Sequence, residues 1–318
     1  MSRAFVFPGQ GAQAIGMGKA LAEAYPQARA VFEEVDEALG EKLSALIWEG
    51  EQDELTLTRN AQPALMATSL AAMAALRAEG VSVEAAAFVA GHSLGEYSAL
   101  AAAGALSVAD AARLLRVRGK AMQEAVAVGE GAMAALLGLN FEQAREAAEK
   151  AAQGQVCQAA NDNDPGQVVV SGHREAVERA IEIAREMGAR RAVLLPVSAP
   201  FHCALMQPAA EVMAEELGRV DIEPPKVPLV ANVRAAPVSD PATIRSLLVE
   251  QVTGVVRWRE SVAFMAGEGV DEFWEIGAGK ALSGMIRRIV RGAATRQAGT
   301  PEEVKAAAQA IEKGQEDV

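Results

Sequence analysis

The chain has 318 residues, a formal net charge of −12 and a hydrophobic fraction of 51%. This length and composition predict a globular protein of about two domains, or one large domain with an insertion. No apolar run approaches the ~18 residues that a membrane span needs, and the negative charge argues against nucleic acid as a partner.

The sequence contains no recognisable metal or nucleotide motif. Its two cysteines, Cys157 and Cys203, form no CxxC pair, which argues against a zinc site or a disulfide framework. The glycine-rich stretches 9–19 and 277–281 do not fit the spacing of a phosphate-binding loop. The first residues are typical of a strand rather than of a cleavable signal segment. The small number of cysteines indicates a reducing compartment, so we expect a cytoplasmic protein.

Apolar periodicity predicts alternating strands and helices in the first part of the chain. The predicted elements are a strand at 4–7, helices at 21–39 and 63–77, a strand at 85–90, and helices at 96–103 and 110–127. Later strands at 227–232 and 270–276 are each followed by a helix, and a final helix with Pro301 in its first turn precedes a frayed acidic end. Such alternation is typical of a parallel sheet covered by helices.

A different order interrupts this pattern. The predicted elements are a strand at 132–138, a helix at 141–152, a strand at 156–159, a loop at 161–166, a strand at 167–171, a helix at 174–187 and a strand at 191–197. This βαββαβ order is that of a ferredoxin-like unit. We therefore expect a small subdomain at 130–197 inserted into a large catalytic domain formed by 1–129 and 198–318.

Residues 91–95 read G-H-S-L-G, with an apolar run before them and helix-forming residues after them. A strand, a tight G-x-S-x-G turn and a helix hold a serine hydroxyl exposed at a strained elbow. The glycines allow a close backbone approach, and the N–H groups of the helix N-terminus would stabilise an oxyanion formed there. The pattern favours Ser93 as a nucleophile over an exposed serine in a glycine-rich turn.

A serine nucleophile needs a base, which is most often histidine. Of the three histidines in the chain, His92 adjoins Ser93 in a turn where neighbouring side chains diverge. His173 begins a predicted helix of the insertion, where a solvated surface residue is the default. His202 follows a strand end, where the active-site loops of parallel sheets gather, so elimination leaves His202 as the base.

No acid is evident for a complete triad. The usual order of serine, acid and histidine would require Asp162 or Asp164, and both lie in the predicted loop of the insertion. This absence argues against an ordinary esterase. Cys203 adjoins His202, so the two side chains cannot easily face each other, and we expect Cys203 to be a packed, inert thiol.

Arg118 lies on the apolar side of its predicted helix, three or four residues from Leu114, Leu115 and Met122. A guanidinium that points inward is costly unless an anion meets it. Spacing leaves two interpretations open: an internal salt bridge, or a bidentate site for a substrate carboxylate.

The sequence as a whole resembles the malonyl-CoA:acyl-carrier-protein transacylases of fatty acid synthesis. The resemblance covers nearly the whole chain and depends on motifs that are specific in combination: F-P-G-Q-G at 7–11, G-H-S-L-G-E-Y at 91–97, N-D-P-G-Q-V at 163–168, V-S-A-P-F-H-C-A-L-M at 197–206 and L-V-E-Q at 248–251. It implies an α/β fold, with a hydrolase-like parallel-sheet domain and an inserted ferredoxin-like α+β subdomain.

The resemblance also implies roles for single residues in substrate binding. Ser93 would carry the malonyl group as an ester, and His202 would act as base and then as acid. Arg118 would bind the malonyl carboxylate, with Met122 and Phe201 as further substrate-binding residues. The aromatic ring of Phe201 should disfavour a branched group such as methylmalonyl.

Two further positions complete the site that the resemblance implies. Gln10 would line the oxyanion site together with the backbone N–H of Leu94. The backbone carbonyl of Gln251 would orient the histidine, which accounts for the missing acid.

The implied partner is an acyl carrier protein that bears the phosphopantetheine thiol. The resemblance attributes its docking to a basic patch matching Arg190 and Arg191, and Arg287 and Arg288 form a second arginine pair that could supply one. The other substrate is the coenzyme A thioester, and we expect no cofactor, no nucleic acid, no membrane and a monomer.

The predicted function is a two-step transfer of malonyl from coenzyme A to Ser93 and then to the carrier protein. One alternative is a serine esterase or thioesterase on the same scaffold, although a hydrolase of neutral esters has no use for Arg118. A second alternative is a catalytically silent module that binds the carrier protein, against which the presence of both Ser93 and His202 argues.

Overall fold

In a computed structural model, which describes residues 2–316, the chain forms two β-sheets flanked by helices. The strands are β1 (Ser2–Phe7), β2 (Phe88–Gly91), β3 (Gly131–Leu137), β4 (Cys157–Asp164), β5 (Gln167–His173), β6 (Arg191–Leu194), β7 (Leu229–Ala231), β8 (Ala236–Val238), β9 (Val270–Ile276) and β10 (Ala294–Ala298).

The helices vary from single turns to six turns in length. They are α1 (Lys19–Ala24), α2 (Pro26–Leu39), α3 (Leu43–Glu49), α4 (Gln52–Thr56), α5 (Thr58–Ala78), α6 (Gly95–Ala102), α7 (Val108–Glu124), α8 (Phe141–Ala152), α9 (Arg174–Glu186), α10 (Gln207–Leu217), α11 (Pro241–Thr253), α12 (Trp258–Gly267), α13 (Ala281–Ile289) and α14 (Pro301–Glu316). Short 3₁₀ turns lie at Val83–Ala85 and Ala204–Met206.

The larger sheet has the strand order β10-β9-β1-β2-β7-β8 and is parallel except for the pairing of β7 with β8. Its central strand β1 is apolar and fully buried from Ala4 to Phe7, as expected of a parallel strand covered by helices on both faces. The carboxyl ends of β2 and β7 are therefore neighbours at one edge of the sheet, where the predicted elbow begins.

The smaller sheet has the order β4-β5-β3-β6, and all of its pairings are antiparallel. Together with α8 and α9 it forms the predicted βαββαβ unit. Small apolar side chains of both helices, such as Ala147 and Ala180, pack against the sheet and form a hydrophobic core of their own. The predicted fold class, a parallel-sheet α/β structure with a ferredoxin-like insertion, is confirmed.

Two prolines change the helix boundaries that periodicity predicts. The predicted helix at 21–39 is divided into α1 and α2 because Tyr25, which precedes Pro26, is extended. By contrast, Pro63 lies inside α5, which begins at Thr58 instead of at 63. The Arg59 carbonyl, which a proline cannot satisfy, accepts a hydrogen bond from Arg116 Nη1 at 2.7 Å instead.

The predicted loop at 161–166 is wrong, because β4 continues through Asp164 and only the turn at 165–166 is irregular. Its polar side chains are buried, and three of them have partners in the larger part of the chain. Asp162 pairs with Arg259 at 2.8 Å, Asp164 pairs with Arg288 at 2.7 Å, and Asn163 bonds to His92. These contacts allow a polar segment to remain in a buried strand.

Several elements were not predicted at all. They are α3, α4, α10, α12, β8 and β10. The final helix is present as α14, and the frayed end predicted after it lies outside the described residues. Within residues 2–316, no helix combines the length and apolarity needed to cross a bilayer.

Candidate active site

Ser93 lies at a sharp turn between β2 and α6. Its backbone has a φ of 53°, a left-handed conformation that is rare for a residue with a side chain. The flanking glycines are required by close approach: a Cβ on Gly91 would lie 1.9 Å from the Gly95 carbonyl carbon, and one on Gly95 would lie 2.3 Å from the oxygen of Phe7. The turn leaves the N–H of Leu94 without a hydrogen-bond acceptor among residues 2–316.

His202 contacts the Ser93 hydroxyl directly. Its Nε2 lies 2.7 Å from Ser93 Oγ, and its Nδ1 lies 2.9 Å from the backbone oxygen of Gln251. Because a carbonyl oxygen only accepts, Nδ1 must carry the proton, and Nε2 is left with its lone pair toward the serine. This is the tautomer that a general base requires.

The surroundings of His202 keep its ring neutral. The side chain is only 4% exposed. Burial, and secondarily the positive charge of Arg118, lower the pKa of His202 from 6.5 to about 3. The imidazole can therefore accept a proton at neutral pH.

The other two histidines are held elsewhere. His92 Nε2 lies 2.8 Å from Asn163 Oδ1, and His173 Nδ1 accepts a hydrogen bond from the N–H of Val156 at 2.9 Å. Neither ring contacts Ser93 Oγ. The structure thus places only His202, among the three histidines, at the serine hydroxyl.

Arg118 projects from α7 into the same site and is 1% exposed. Its Nη1 donates to Gln62 Oε1 at 2.7 Å, and its Nη2 donates to Gln251 Oε1 at 2.8 Å and to Ser93 Oγ at 3.2 Å. The guanidinium carbon lies 5.8 Å from the centre of the Tyr97 ring. Every one of these partners is uncharged.

The internal salt bridge that spacing left open for Arg118 is not present among the described residues. No carboxylate oxygen in that range lies within 4.0 Å of its guanidinium, and its Nε has no partner there. Burial raises the pKa of the nearby Glu96 to about 8. Within residues 2–316, Arg118 is a desolvated cation that no carboxylate contacts directly.

The predicted residues gather around one cavity of about 490 Å³ between the two sheets. Its lining includes Ser93, His202, Gln10, Leu94, Arg118, Met122 and Phe201. The small sheet contributes apolar side chains to the opposite wall, among them Met133 and Val169. A concave, largely apolar cavity with a few polar groups is typical of a small-molecule site.

Gln251 contributes more than the carbonyl considered in the sequence analysis. Its Nε2 donates to the backbone oxygen of Ser93 at 2.9 Å and also to Glu96, while its Oε1 accepts from Arg118. The side chain thus joins the buried cation to the elbow.

Asn232 was missed by the sequence analysis. It directly follows β7, the neighbour of β2, and its Oδ1 accepts from the N–H of Ser93 at 2.8 Å. Its Nδ2 donates to the backbone oxygen of Gly91 at 2.7 Å, so one side-chain amide bonds to the backbone on both sides of the turn. The position of this polar residue at the end of a predicted strand was the available signal.

Cys203 is fully buried and donates to the oxygen of Pro200 at 3.2 Å. Burial raises the pKa of its thiol. This environment disfavours the thiolate that nucleophilic chemistry needs.

The two predicted arginine pairs lie near one another, but only three of the four arginines line the same surface groove. Arg190, Arg191 and Arg288 line a shallow groove that shares Gln167 with the main cavity. Arg287 does not line the groove. Its Nε donates a hydrogen bond to Thr295 Oγ1 at 2.9 Å. The groove is therefore basic, although Asp164 neutralises part of the charge of Arg288.

Comparison with known proteins places the chain in a family. It matches the family model described as acyl transferase domain over residues 4–308. It is 49% identical over 311 residues to the malonyl CoA-acyl carrier protein transacylase of Bacillus subtilis (strain 168), covering 98% of this chain and 97% of that protein. The chain therefore belongs to the acyl transferase family.

Solved structures support the same relationship. The crystal structure of an acyl-carrier-protein-S-malonyltransferase from Bartonella henselae aligns with a TM-score of 0.96 and 57% identity, over 98% of this chain and 99% of that chain. A type II PKS acyl-carrier protein in complex with its malonyl-transacylase gives a TM-score of 0.95 and 42% identity, over 98% of this chain and 100% of that chain.

The neutrality of His202 leads to a pH prediction. Because the unprotonated ring is the active form and its pKa is about 3, the reaction of Ser93 with a small fluorophosphonate should not slow as the pH falls from about 8 to about 5.5. The rate is measured by labelling at each pH, with His202→Gln as a control that should react slowly throughout. An acid limb centred near 6.5 would contradict the assignment.

Proposed function

We propose that the chain transfers a malonyl group from malonyl-CoA to the phosphopantetheine thiol of an acyl carrier protein through an ester on Ser93. The observation that carries this proposal is Arg118. A buried guanidinium that no carboxylate contacts directly within the described residues lies 3.2 Å from the serine hydroxyl, at a distance suited to an acyl group that ends in a carboxylate. The named activities of the relatives agree with this chemistry.

In the first half-reaction, His202 Nε2 takes the proton of Ser93 Oγ while the oxygen attacks the thioester carbonyl. The N–H of Leu94 and the amide of Gln10 would stabilise the oxyanion. When the tetrahedral intermediate collapses, the carbon–sulfur bond breaks and the coenzyme A thiolate takes the proton back from His202. The malonyl ester on Ser93 remains.

The second half-reaction is the reverse process with another thiol. His202 takes the proton of the carrier-protein thiol, the sulfur attacks the ester carbonyl, and Ser93 Oγ leaves with that proton. The Gln251 carbonyl at Nδ1 stabilises the imidazolium in both steps. Atoms and electrons balance without a metal or a redox cofactor, so the proposal includes none.

The acyl pocket favours a small unbranched group. Phe201 and Met122 are both buried and line the cavity, and a branch on the acyl chain would have to displace one of these side chains. We therefore include poor acceptance of methylmalonyl in the proposal. The alternative of an esterase of neutral substrates would leave Arg118 without a function.

The basic groove of Arg190, Arg191 and Arg288 is the proposed docking surface for the carrier protein. Carrier proteins of this kind are acidic, and a chain of net charge −12 needs a local positive surface to attract one. The groove adjoins the cavity through Gln167, so a docked partner would present its prosthetic group at the cavity mouth.

The domain division and setting belong to the same proposal. We assign 1–129 and 198–318 to the catalytic domain and 130–197 to the inserted subdomain, with the cavity between them. The proposed active form is a monomer. The substrates of this reaction are metabolites of the cytoplasm, which is the proposed location.

The proposed ester can be detected directly. Incubation with labelled malonyl-CoA should give an adduct that peptide mapping by mass spectrometry places on Ser93. The adduct should be absent in Ser93→Ala and should form very slowly in His202→Ala. The matched control is Ser98→Ala, because the Ser98 hydroxyl is buried in α6 and has no hydrogen-bond partner in the described part of the chain. An adduct on Cys203, or one that persists in Ser93→Ala, would overturn the mechanism.

The role of Arg118 predicts a change in selectivity. Arg118→Ala should lower kcat/KM for malonyl-CoA by about 100-fold, because charge-assisted hydrogen bonds to the carboxylate are lost. Acetyl-CoA lacks the carboxylate, so its transfer should be unchanged or improved. Lys120→Ala removes an exposed cation from the same helix and serves as the control. Equal losses for both thioesters would indicate a structural role instead.

The docking surface predicts an effect confined to the carrier protein. Reversal of Arg190 and Arg191 to Glu should raise the apparent KM for the carrier protein about fivefold to tenfold at low salt, an effect that added salt should screen. Loading from malonyl-CoA should change little. Arg287→Glu makes a similar change outside the groove, so a comparable rise in KM in that variant would argue against the groove.

A further inference from the structure

The side chain of Gln251 lies between a buried cation and a buried carboxyl group. Its Oε1 accepts a hydrogen bond from Arg118 Nη2 at 2.8 Å, and its Nε2 donates to Glu96 Oε2. Arg118, Gln251 and Glu96 project from three different helices, α7, α11 and α6, and each is at most 1% exposed. Arg118 and Glu96 form no ion pair, because no guanidinium nitrogen lies within 4.0 Å of a Glu96 oxygen.

The orientation of the Gln251 amide is fixed from both sides. A guanidinium can only donate, so the amide oxygen must face Arg118. The amide nitrogen faces acceptors only, namely the backbone oxygen of Ser93 at 2.9 Å, the Glu96 carboxyl group and, at 3.4 Å, Asn232 Oδ1. An amide turned the other way would place N–H groups against N–H groups and oxygen against oxygen.

Glu96 uses both of its oxygens in this arrangement. Its Oε1 accepts from the backbone N–H of Asn232 at 2.5 Å, and its Oε2 accepts from Gln251. Burial raises the pKa of Glu96 to about 8, whereas direct contact with a guanidinium would lower it. A Glu96 side chain that reached Arg118 would therefore ionise and form an ion pair with it.

An amide between the two groups leaves Arg118 more readily available than an ion pair would. A neutral amide oxygen holds a guanidinium less strongly than a carboxylate does, so the amide can give way to the carboxylate of a substrate. An internal ion pair would have to break before that substrate could bind, and the charge of Glu96 would then stay buried and unpaired. An acetyl group has no carboxylate and would not face this competition.

We infer that the Gln251 side chain is a positioning residue for substrate selection, because it separates Arg118 from Glu96 and so reserves the guanidinium for the carboxylate of the substrate. The inference rests on the proposed function, since it requires that Arg118 binds this carboxylate. The role is distinct from that of the Gln251 backbone oxygen, which accepts from His202 Nδ1 at 2.9 Å.

The first test exchanges the amide and the carboxylate. In the double variant Gln251→Glu/Glu96→Gln, a carboxylate lies against Arg118, and the amide at position 96 can donate to it. The malonyl-to-acetyl ratio, defined as kcat/KM for malonyl-CoA divided by kcat/KM for acetyl-CoA, should fall about tenfold, because the internal carboxylate competes only with malonyl. The exchange also removes the donor to the backbone oxygen of Ser93, but that loss affects both thioesters and cancels in the ratio.

The second test removes the amide. Gln251→Ala keeps the backbone oxygen that His202 needs and allows Glu96 to approach Arg118, so the malonyl-to-acetyl ratio should again fall. Adding Glu96→Gln to Gln251→Ala removes the competing carboxylate and should restore the ratio to within about threefold of the wild-type value. A merely structural role predicts no recovery, because a second substitution in the same buried cluster would add to the damage.

Glu272→Gln is the matched control and should keep the wild-type ratio. Glu272 is a buried glutamate that pairs with Arg3 at 2.7 Å and with Arg296, and it does not line the cavity. Thermal melts report whether each variant is folded, and if the exchange variant does not fold, the two Gln251→Ala variants decide.

Three results would each overturn the inference: a wild-type ratio in the exchange variant, a comparable fall in Glu272→Gln, or no recovery when Glu96→Gln is added to Gln251→Ala. Wild-type protein that loads no malonyl, or an Arg118→Ala variant with an unchanged ratio, would instead overturn the proposed function.

Discussion

Arg118 is a permanent cation that the fold buries with no carboxylate in direct contact among residues 2–316, and the surrounding side chains offset part of the cost of burying it. Its N–H groups donate to neutral oxygens of Gln62, Gln251 and Ser93, which replace part of the lost hydration. Because a guanidinium only donates, it also orients the two amides that it contacts. The Gln251 amide in turn donates to the backbone oxygen of Ser93, so the group proposed to recognise the substrate is also bonded, through one side chain, to the elbow.

The site residues that could be predicted from the sequence either lie in a contiguous motif or belong to a residue type that is rare in this chain. The elbow around Ser93 is encoded by contiguous residues, and with only three histidines elimination was enough to single out His202. Asn232 has no such signature. Its contact with the Ser93 backbone joins positions far apart in the chain, and a polar residue at a strand end is common. Such partners become evident only when the elements are placed in space.

The fold shows the same division between local and distant determinants. Strong periodicity located the central strands and the βαββαβ unit, and these predictions are confirmed. The segment 161–164 was predicted as a loop because asparagine and aspartate disfavour strands. It is a strand because Arg259, Arg288 and His92, from other parts of the chain, satisfy its buried side chains. Composition alone does not reveal a partner that lies about a hundred residues away.

The burial that makes a charged Arg118 energetically costly also affects the neighbouring His202. Desolvation and the neighbouring positive charge both lower the pKa of the imidazole, so the ring is available as a base, but the imidazolium formed during attack is disfavoured. A substrate carboxylate bound to Arg118 would cancel the charge that opposes protonation of His202. A neutral acyl group would not. On this argument the carboxylate contributes to selectivity twice, once as a ligand of Arg118 and once by making His202 a stronger base in the occupied site.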